Sequence, residues 1–489
     1  MHFYKTQGHM LDDEVFIKWF EREQMFERQR KRQYDHFDQR IRVSSRVEEF
    51  RHLFGNPKEV AQHWFYPFIK NDIVTPRYKK TGTLDEKGKP VREKTEKRRH
   101  IAYAAHYDAV MYSWYSTLLS KHYERRIAEL GIGECVLAYI ERDKSNIHYA
   151  HEAFSFIRTK GECVAIALDL SSFFDTLDHR ILKQTWAEVL GVRELPVDHY
   201  SIYKQVTRYS LVEKEKLADA LPRYQASIKA KHRRERICTP AEFRTLVVGK
   251  GLVQTNPFQN AIPGSSRLGK TCGIPQGSPL SATLSNLYML HFDERMHRLL
   301  SSIGGTYRRY CDDILLVCGA EDLDMVKEAV LEAARAHELV INKDKTEEHE
   351  FKRNRAGRLE CFALEDGRLT KLRKLQYLGF EFDGERVYIR SASMSRYFSR
   401  LKSRIRRDLK AGYGKNALRG RTFKRKLFNR YTDKGKRNFI TYAKRAARIM
   451  DSPEIAAQVK DSIKRVKTLF AEMEAQYLDK RARRIVQER

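Results

Sequence analysis

The dipeptide Asp312-Asp313 constrains this chain more than any other feature. It sits inside Arg308-Arg309-Tyr310-Cys311-Asp312-Asp313-Ile314-Leu315-Leu316-Val317, where aromatic and β-branched residues on both sides suit strands on a half-buried sheet. Two adjacent carboxylates with no cation following them are costly to bury unpaired. They are therefore either a solvated hairpin turn or ligands for a cation. A second carboxylate stands in a similar place. The apolar run Cys163-Val164-Ala165-Ile166-Ala167-Leu168-Asp169-Leu170 reads as a buried strand ending in Asp169, which alone would pass for a strand-end or helix N-cap aspartate. If the two strands are neighbours in one sheet, Asp169 and Asp312 meet at one edge. Phosphoryl transfer by two metal ions roughly 3.5–4 Å apart asks for such a pair.

The balance of the chain narrows the setting. At 489 residues it exceeds one ordinary core, so two or three domains are expected. The formal net charge of +30 implies a polyanionic partner, with nucleic acid ahead of an anionic membrane surface. No apolar run approaches the ~18–20 residues of a spanning helix, and no signal-peptide core opens the sequence. Cysteines 135, 163, 238, 272, 311, 318 and 361 are scattered without a Cys-x-x-Cys pair, which argues for a reducing compartment and against structural zinc. The expectation is a cytoplasmic protein without a membrane partner.

Along the chain, residues 12–54 read as helical packing segments, with Val15, Phe16, Trp19, Phe20, Phe26 and Phe37 as apolar positions. Residues 77–103 are basic and read as two arms around a turn at Asp85–Pro90, with Lys97 and Arg99 sharing one face of the second arm. Helices are expected near 105–130, 142–158 and 178–190. Residues 195–262 read as a mostly helical insertion with a basic core at 229–236. Gly273-Ile274-Pro275-Gln276-Gly277-Ser278-Pro279 is a rigid turn opening a helix through Leu290, and Leu375–Phe382 reads as one strand. From about Ser391 the chain is helical, and residues 401–450 hold 18 Lys plus Arg against 2 Asp plus Glu. That one-sided bias reads as a phosphate-backbone track rather than a merely soluble face.

Taken jointly, Asp169 followed by Phe174, the Gly-Ile-Pro-Gln-Gly-Ser-Pro turn, Tyr-Cys-Asp-Asp, Asn342-x-x-Lys345-Thr346 and Tyr377-Leu378-Gly379-Phe380 resemble the reverse transcriptase family over roughly residues 96–385. The resemblance implies an α+β right-hand polymerase. Residues 1–95 would be a helical extension and the start of the fingers, 96–385 fingers and palm, and 386–489 a basic helical thumb. Asp169, Asp312 and Asp313 would be catalytic, holding two Mg²⁺ ions with the Leu170 backbone, and Mn²⁺ able to substitute. Phe174 falls at the steric-gate position that favours dNTPs. Arg99, Gln276, Gly277 and Lys345 match nucleotide-binding positions. Relatives often carry Arg where this chain has Ile140, so Arg142 would take that role. Tyr377, Leu378 and Gly379 match the primer-grip turn, and Lys402, Arg404, Arg406, Arg407, Lys424, Arg425, Lys436 and Arg437 would follow nucleic acid.

Finer features are similar to the bacterial abortive-infection and defence-associated enzymes, closest to those associated with a noncoding RNA. They include Arg99-His100-Ile101, His106-Tyr107-Asp108, Lys144-Ser145-Asn146 and Gly435-Lys436-Arg437-Asn438. The implied partners are a noncoding RNA template, a DNA product and dNTPs, with homo-oligomers open. Untemplated or protein-primed synthesis is the alternative activity, and an idle RNA-binding scaffold the alternative class.

Overall fold

Alternating strand segments and amphipathic helices build two compact units in a computed structural model. It describes residues 11–29, 34–84, 88, 90–230, 236–256, 271–365, 367–414, 422 and 424–487. The first unit comprises residues 1–140, 170–297 and 329–341; the second comprises 141–169, 298–328 and 342–489. Most of the expected turn at Asp85–Pro90 and most of the basic core at 229–236 lie outside the described residues.

The first unit contains the two expected basic arms, strands Phe68–Leu84 and Pro90–Tyr103, paired antiparallel with Ile73 opposite Arg99. The 195–262 insertion is not wholly helical, because Ser210–Glu213 and Gln254–Thr255 join this sheet as its third and fourth strands. Strands of four and two residues are too short for a periodicity signal. The 12–54 stretch is likewise broken into helices Asp13–Arg28 and Val47–Gly55 with a 3₁₀ turn at Val43–Ser45. In the interruption Asp38 is drawn away to cap another helix. Its carboxylate accepts from the Tyr107 backbone N–H at 2.9 Å and meets His106 Nδ1 at 2.8 Å. Packing is the role of the first helix, as expected: Trp19 meets Phe54 at 5.2 Å edge-on, and Phe54 stacks on Trp114 at 4.9 Å.

The second unit is organised by a six-stranded sheet. From edge to edge its strands are Arg368–Leu372, Leu359–Glu365, Glu347–Arg353, Cys163–Asp169, Asp313–Cys318 and Thr306–Tyr310. The strand ending in Asp169 is therefore central, which explains its unbroken apolar run. Leu375–Phe382 is two strands rather than one: Leu375–Tyr377 and Phe380–Phe382 pair around Leu378-Gly379, and Val387–Ile389 adds a third. The helical region after Ser391 packs behind them, with Leu401, Ile405 and Leu409 buried on one face of helix Ser391–Tyr413.

Candidate active site

Residue alternation along two adjacent strands brings the carboxylates together. Strand Cys163–Asp169 runs antiparallel to Asp313–Cys318 in a register that sets Asp169 directly opposite Asp313. Like charges in that relation destabilise a sheet. The hairpin between Thr306–Tyr310 and Asp313–Cys318 closes through only Cys311 and Asp312, with Cys311 at φ 61°. Left-handed backbone at the first central residue of a two-residue turn normally calls for glycine. A buried cysteine held there is a strained position, of the kind that gathers at functional sites. Arg309 supports it from below: the side chain is wholly buried and donates through Nη1 to the Cys311 carbonyl at 3.2 Å. Sequence reasoning overlooked Arg309, yet alternation with buried Tyr307 places it on the inner face.

Asp169 is held from a second side. The Asn342 N–H donates to the Asp169 carbonyl at 2.8 Å, and Asn342 Nδ2 reaches its Oδ2 at 3.4 Å. Lys345 Nζ donates to the same carboxylate oxygen. Asp313 is exposed as a residue, yet its carboxyl group is largely enclosed by protein. That withdrawal from water, followed by repulsion from Asp312 and Asp169, pushes its pKa up to about 6 against the pull of Arg390 and Lys345. Among the described residues no three Asp, Glu, His or Cys side chains are gathered in a metal-binding cluster. The donor set of Asp169, Asp312 and Asp313 is nevertheless all-oxygen and anionic, which fits a hard divalent cation. Leu170 is buried and bridges to Ile341. The bonds that make this bridge run from Ser171 N–H to Val340 O (2.7 Å) and from Asn342 N–H to Asp169 O, so neither uses the Leu170 carbonyl.

The first unit, described by itself, carries Phe174, Gln276, Gly277 and Arg99, which the sequence resemblance assigns to nucleotide binding. Phe173 and Phe174 open a short helix rather than lying on a strand, with Phe173 buried and Phe174 half-buried. The Phe174 carbonyl accepts from Ile274 N–H at 2.9 Å, and the Gln276 carbonyl accepts from Ala102 N–H at 2.8 Å. Gly277 has φ 121°, and a Cβ there would come within 2.9 Å of the Ala102 carbonyl, so only glycine fits against this strand. Arg99 is exposed on the same strand.

In the second unit, Arg142 lies half-buried just before helix Asn146–Lys160. Asn146 does more than open that helix: its Nδ2 donates to the Leu378 carbonyl at 3.0 Å and to the Tyr442 hydroxyl at 2.9 Å. It thereby ties the Leu378-Gly379 turn to helix Phe439–Ile449. Leu378 and Gly379 have φ 46° and 92°, and Tyr377 is buried, its hydroxyl without a hydrogen-bond partner among the described residues. Of the basic positions, Lys402, Arg406, Arg407, Arg425, Lys436 and Arg437 are exposed. Arg404 pairs with Asp408 at 3.0 Å, and Lys424 lies 3.6 Å from Glu474 and over the Phe470 ring.

Comparison with known proteins finds a family match over part of the chain. Residues 233–382 match the family described as reverse transcriptase (RNA-dependent DNA polymerase). That span takes in Gln276, Gly277, Asp312, Asp313, Lys345 and Tyr377–Gly379, but not Asp169, Phe174, Arg99 or Arg142. The matched span, under a third of the chain, thus carries a reverse transcriptase domain, whose fold class is the right-hand polymerase. The enzyme class such a domain defines is RNA-directed DNA polymerase, a nucleotidyltransferase. No curated protein matches the chain. Solved structures with a similar chain path include apo telomerase from Candida tropicalis lacking its C-terminal domain (11% identity, TM-score 0.40, 66% of this chain and 57% of that one). Telomerase from the same organism with a telomeric RNA fragment is also similar (13% identity, TM-score 0.40, 85% and 56%). A third is telomerase from Candida albicans with such a fragment (11% identity, TM-score 0.36, 83% and 56%). The chain spans under two thirds of each. No described helix is long and apolar enough to cross a membrane.

Proposed function

We propose that this protein is a cytoplasmic RNA-directed DNA polymerase that copies an associated noncoding RNA into DNA as part of antiphage defence. The observation that carries the polymerase reading is the register of Asp169 opposite Asp313, with Asp312 at the adjoining turn. The defence role and the dedicated RNA rest on the resemblance of the Arg99-His100-Ile101 and Lys144-Ser145-Asn146 segments to that branch. We read residues 1–95 as a helical extension with the start of the fingers, 96–385 as fingers and palm, and 386–489 as thumb.

Asp169, Asp312, Asp313 and the Leu170 carbonyl would hold two Mg²⁺ ions. When bound, such ions supply acidification of the primer 3′-hydroxyl and charge neutralisation on the triphosphate and leaving pyrophosphate. The remaining work falls to the chain's own side chains. Arg99 and Arg142 bind triphosphate oxygens, and Lys345 serves the leaving phosphate. Phe174 crowds a ribose 2′-hydroxyl, so dNTPs are preferred. Gln276 and Gly277 line the nascent base pair. The Tyr377–Gly379 turn seats the primer end, and the exposed cations of the C-terminal helices follow the phosphate backbone without reading sequence.

The test is to sequence nucleic acid co-purified with the wild type and with the Asp312→Ala, Asp313→Ala double variant. One RNA in both, with complementary DNA only in the wild type, is the expected result. DNA that matches no bound RNA would replace templated copying with untemplated or protein-primed synthesis. DNA in the double variant would overturn the catalytic assignment.

A further inference from the structure

The turn Asn342-Lys343-Asp344-Lys345-Thr346 is built around Asp169. The Asn342 carbonyl accepts three hydrogen bonds, from Lys345 N–H at 3.1 Å, Thr346 N–H at 3.0 Å and Thr346 Oγ1 at 3.0 Å. These bonds fix the path of the turn. From the other side of the same residue, the Asn342 N–H and Nδ2 both engage Asp169, one at its carbonyl and one at its carboxylate. Asn342 therefore docks the turn on the strand end and, through its own carbonyl, sets where Lys345 begins. The Lys345 ammonium lands on Asp169 Oδ2, the oxygen Asn342 also touches.

We infer that Lys345 is the resident counter-ion of Asp169 in the metal-free protein, and that it gives this carboxylate up when a divalent cation binds. The inference rests on the polymerase reading above, since it takes Asp169 as a metal ligand. The charge distribution requires some such device. Asp169 and Asp313 face each other across the sheet with Asp312 adjoining, and without a cation the three can only repel. Lys345 relieves that repulsion at one member. An ammonium bound to a carboxylate oxygen also occupies a lone pair that a metal would use, so the two cations compete for Asp169. The pair is open enough for exchange: the Lys345 side chain is 47% exposed and that of Asp169 25%, so rotation of the lysine stem frees the oxygen without unpacking the sheet. Once displaced, the same ammonium is free for the leaving phosphate. One lysine thus serves two anions in turn, and Asn342 with Thr346 are positioning residues that keep it within reach of both.

A surface-accessible ion pair is worth up to about 1 kcal/mol, which corresponds to about fivefold in affinity. Titration of the protein with Mn²⁺ alone, followed by electron paramagnetic resonance without nucleic acid or nucleotide, measures the competition directly. Lys345→Met should bind Mn²⁺ about fivefold more tightly than the wild type, whereas Lys345→Arg, which keeps a cation, should stay near the wild-type value. Lys343→Met removes a neighbouring exposed charge that does not touch Asp169 and should change little, because salt screens it. The metal-free melting temperature of Lys345→Met should fall and recover on adding Mn²⁺, which separates loss of a counter-ion from a general packing defect. Equal or weaker Mn²⁺ affinity in Lys345→Met overturns the counter-ion role. Absence of Mn²⁺ binding in the wild type overturns instead the polymerase reading on which it rests.

Discussion

Two hairpins of the second unit close through two residues each, and they solve opposite problems. Cys311-Asp312 is a strained turn without glycine, backed by the buried Arg309, carrying one carboxylate and bordered by two more. Leu378-Gly379 uses the glycine such a turn asks for and carries no charge, and its carbonyl is held from outside by Asn146. The first spends stability to place side-chain oxygens together; the second places a stretch of backbone. On the proposed function the first is the catalytic turn and the second the turn that seats the primer end, so the two should respond differently to substitution.

The widest separation is in chemistry. Asp312→Ala with Asp313→Ala should abolish DNA synthesis on a supplied primer-template and leave RNA retention intact. Gly379→Ala should slow synthesis without removing it. Equal loss in the two variants would mean that both turns act only as scaffolds. Next in size is Arg309→Met, which removes a fully buried cation and its Nη1 hydrogen bond to the Cys311 carbonyl. Denaturant unfolding should show a loss of about 2 kcal/mol; an unchanged midpoint would mean that the turn carries its strain unaided.

How far these turns were legible in sequence follows from the same contrast. Asp312-Asp313 was readable because two charges inside apolar strand runs have few physical explanations. Asp169 became readable only jointly, since one carboxylate at a strand end is ordinary. Gln276 and Gly277 were visible as a rigid turn, while the need for glycine at 277 comes from Ala102 in a distant strand and leaves no local trace. The Leu378-Gly379 turn is legible only through the family resemblance; the local pattern reads as one strand because its flanking strands have only three residues each, too few to show an interruption. The second hydrogen-bonding role of Asn146 was out of reach altogether, as its partners lie 232 and 296 residues away.

Smaller effects test the seating turn. Asn146→Ala deletes both of its bonds and should cost about 1–2 kcal/mol, with weaker primer-template binding and unchanged metal affinity. Gly379→Ala should cost about 1 kcal/mol, from left-handed backbone alone, because no atom lies within 4 Å of the added methyl. If Asn146→Ala alters unfolding but not primer-template binding, this turn is structural rather than a seat.

The subtlest difference is in pH, since only the catalytic turn titrates. Under chelating conditions the Asp313 pKa is raised from 3.8 to about 6, so the folded protein holds this proton more tightly than the unfolded chain. The resulting stabilisation is complete below about pH 4 and is lost as pH rises through about 6. Asp313→Asn cannot lose the proton, so relative to wild type it should gain stability across that window. The gap at pH 7 should stay below about 1 kcal/mol, because Asp313 is exposed as a residue and the solvent that reaches it screens the interaction. Gly379→Ala, with no ionisable group changed, should run parallel to the wild type at every pH. A wild-type curve parallel to that of Asp313→Asn would show that burial and the neighbouring carboxylates together do not raise the Asp313 pKa, and the electrostatic half of the contrast would fall.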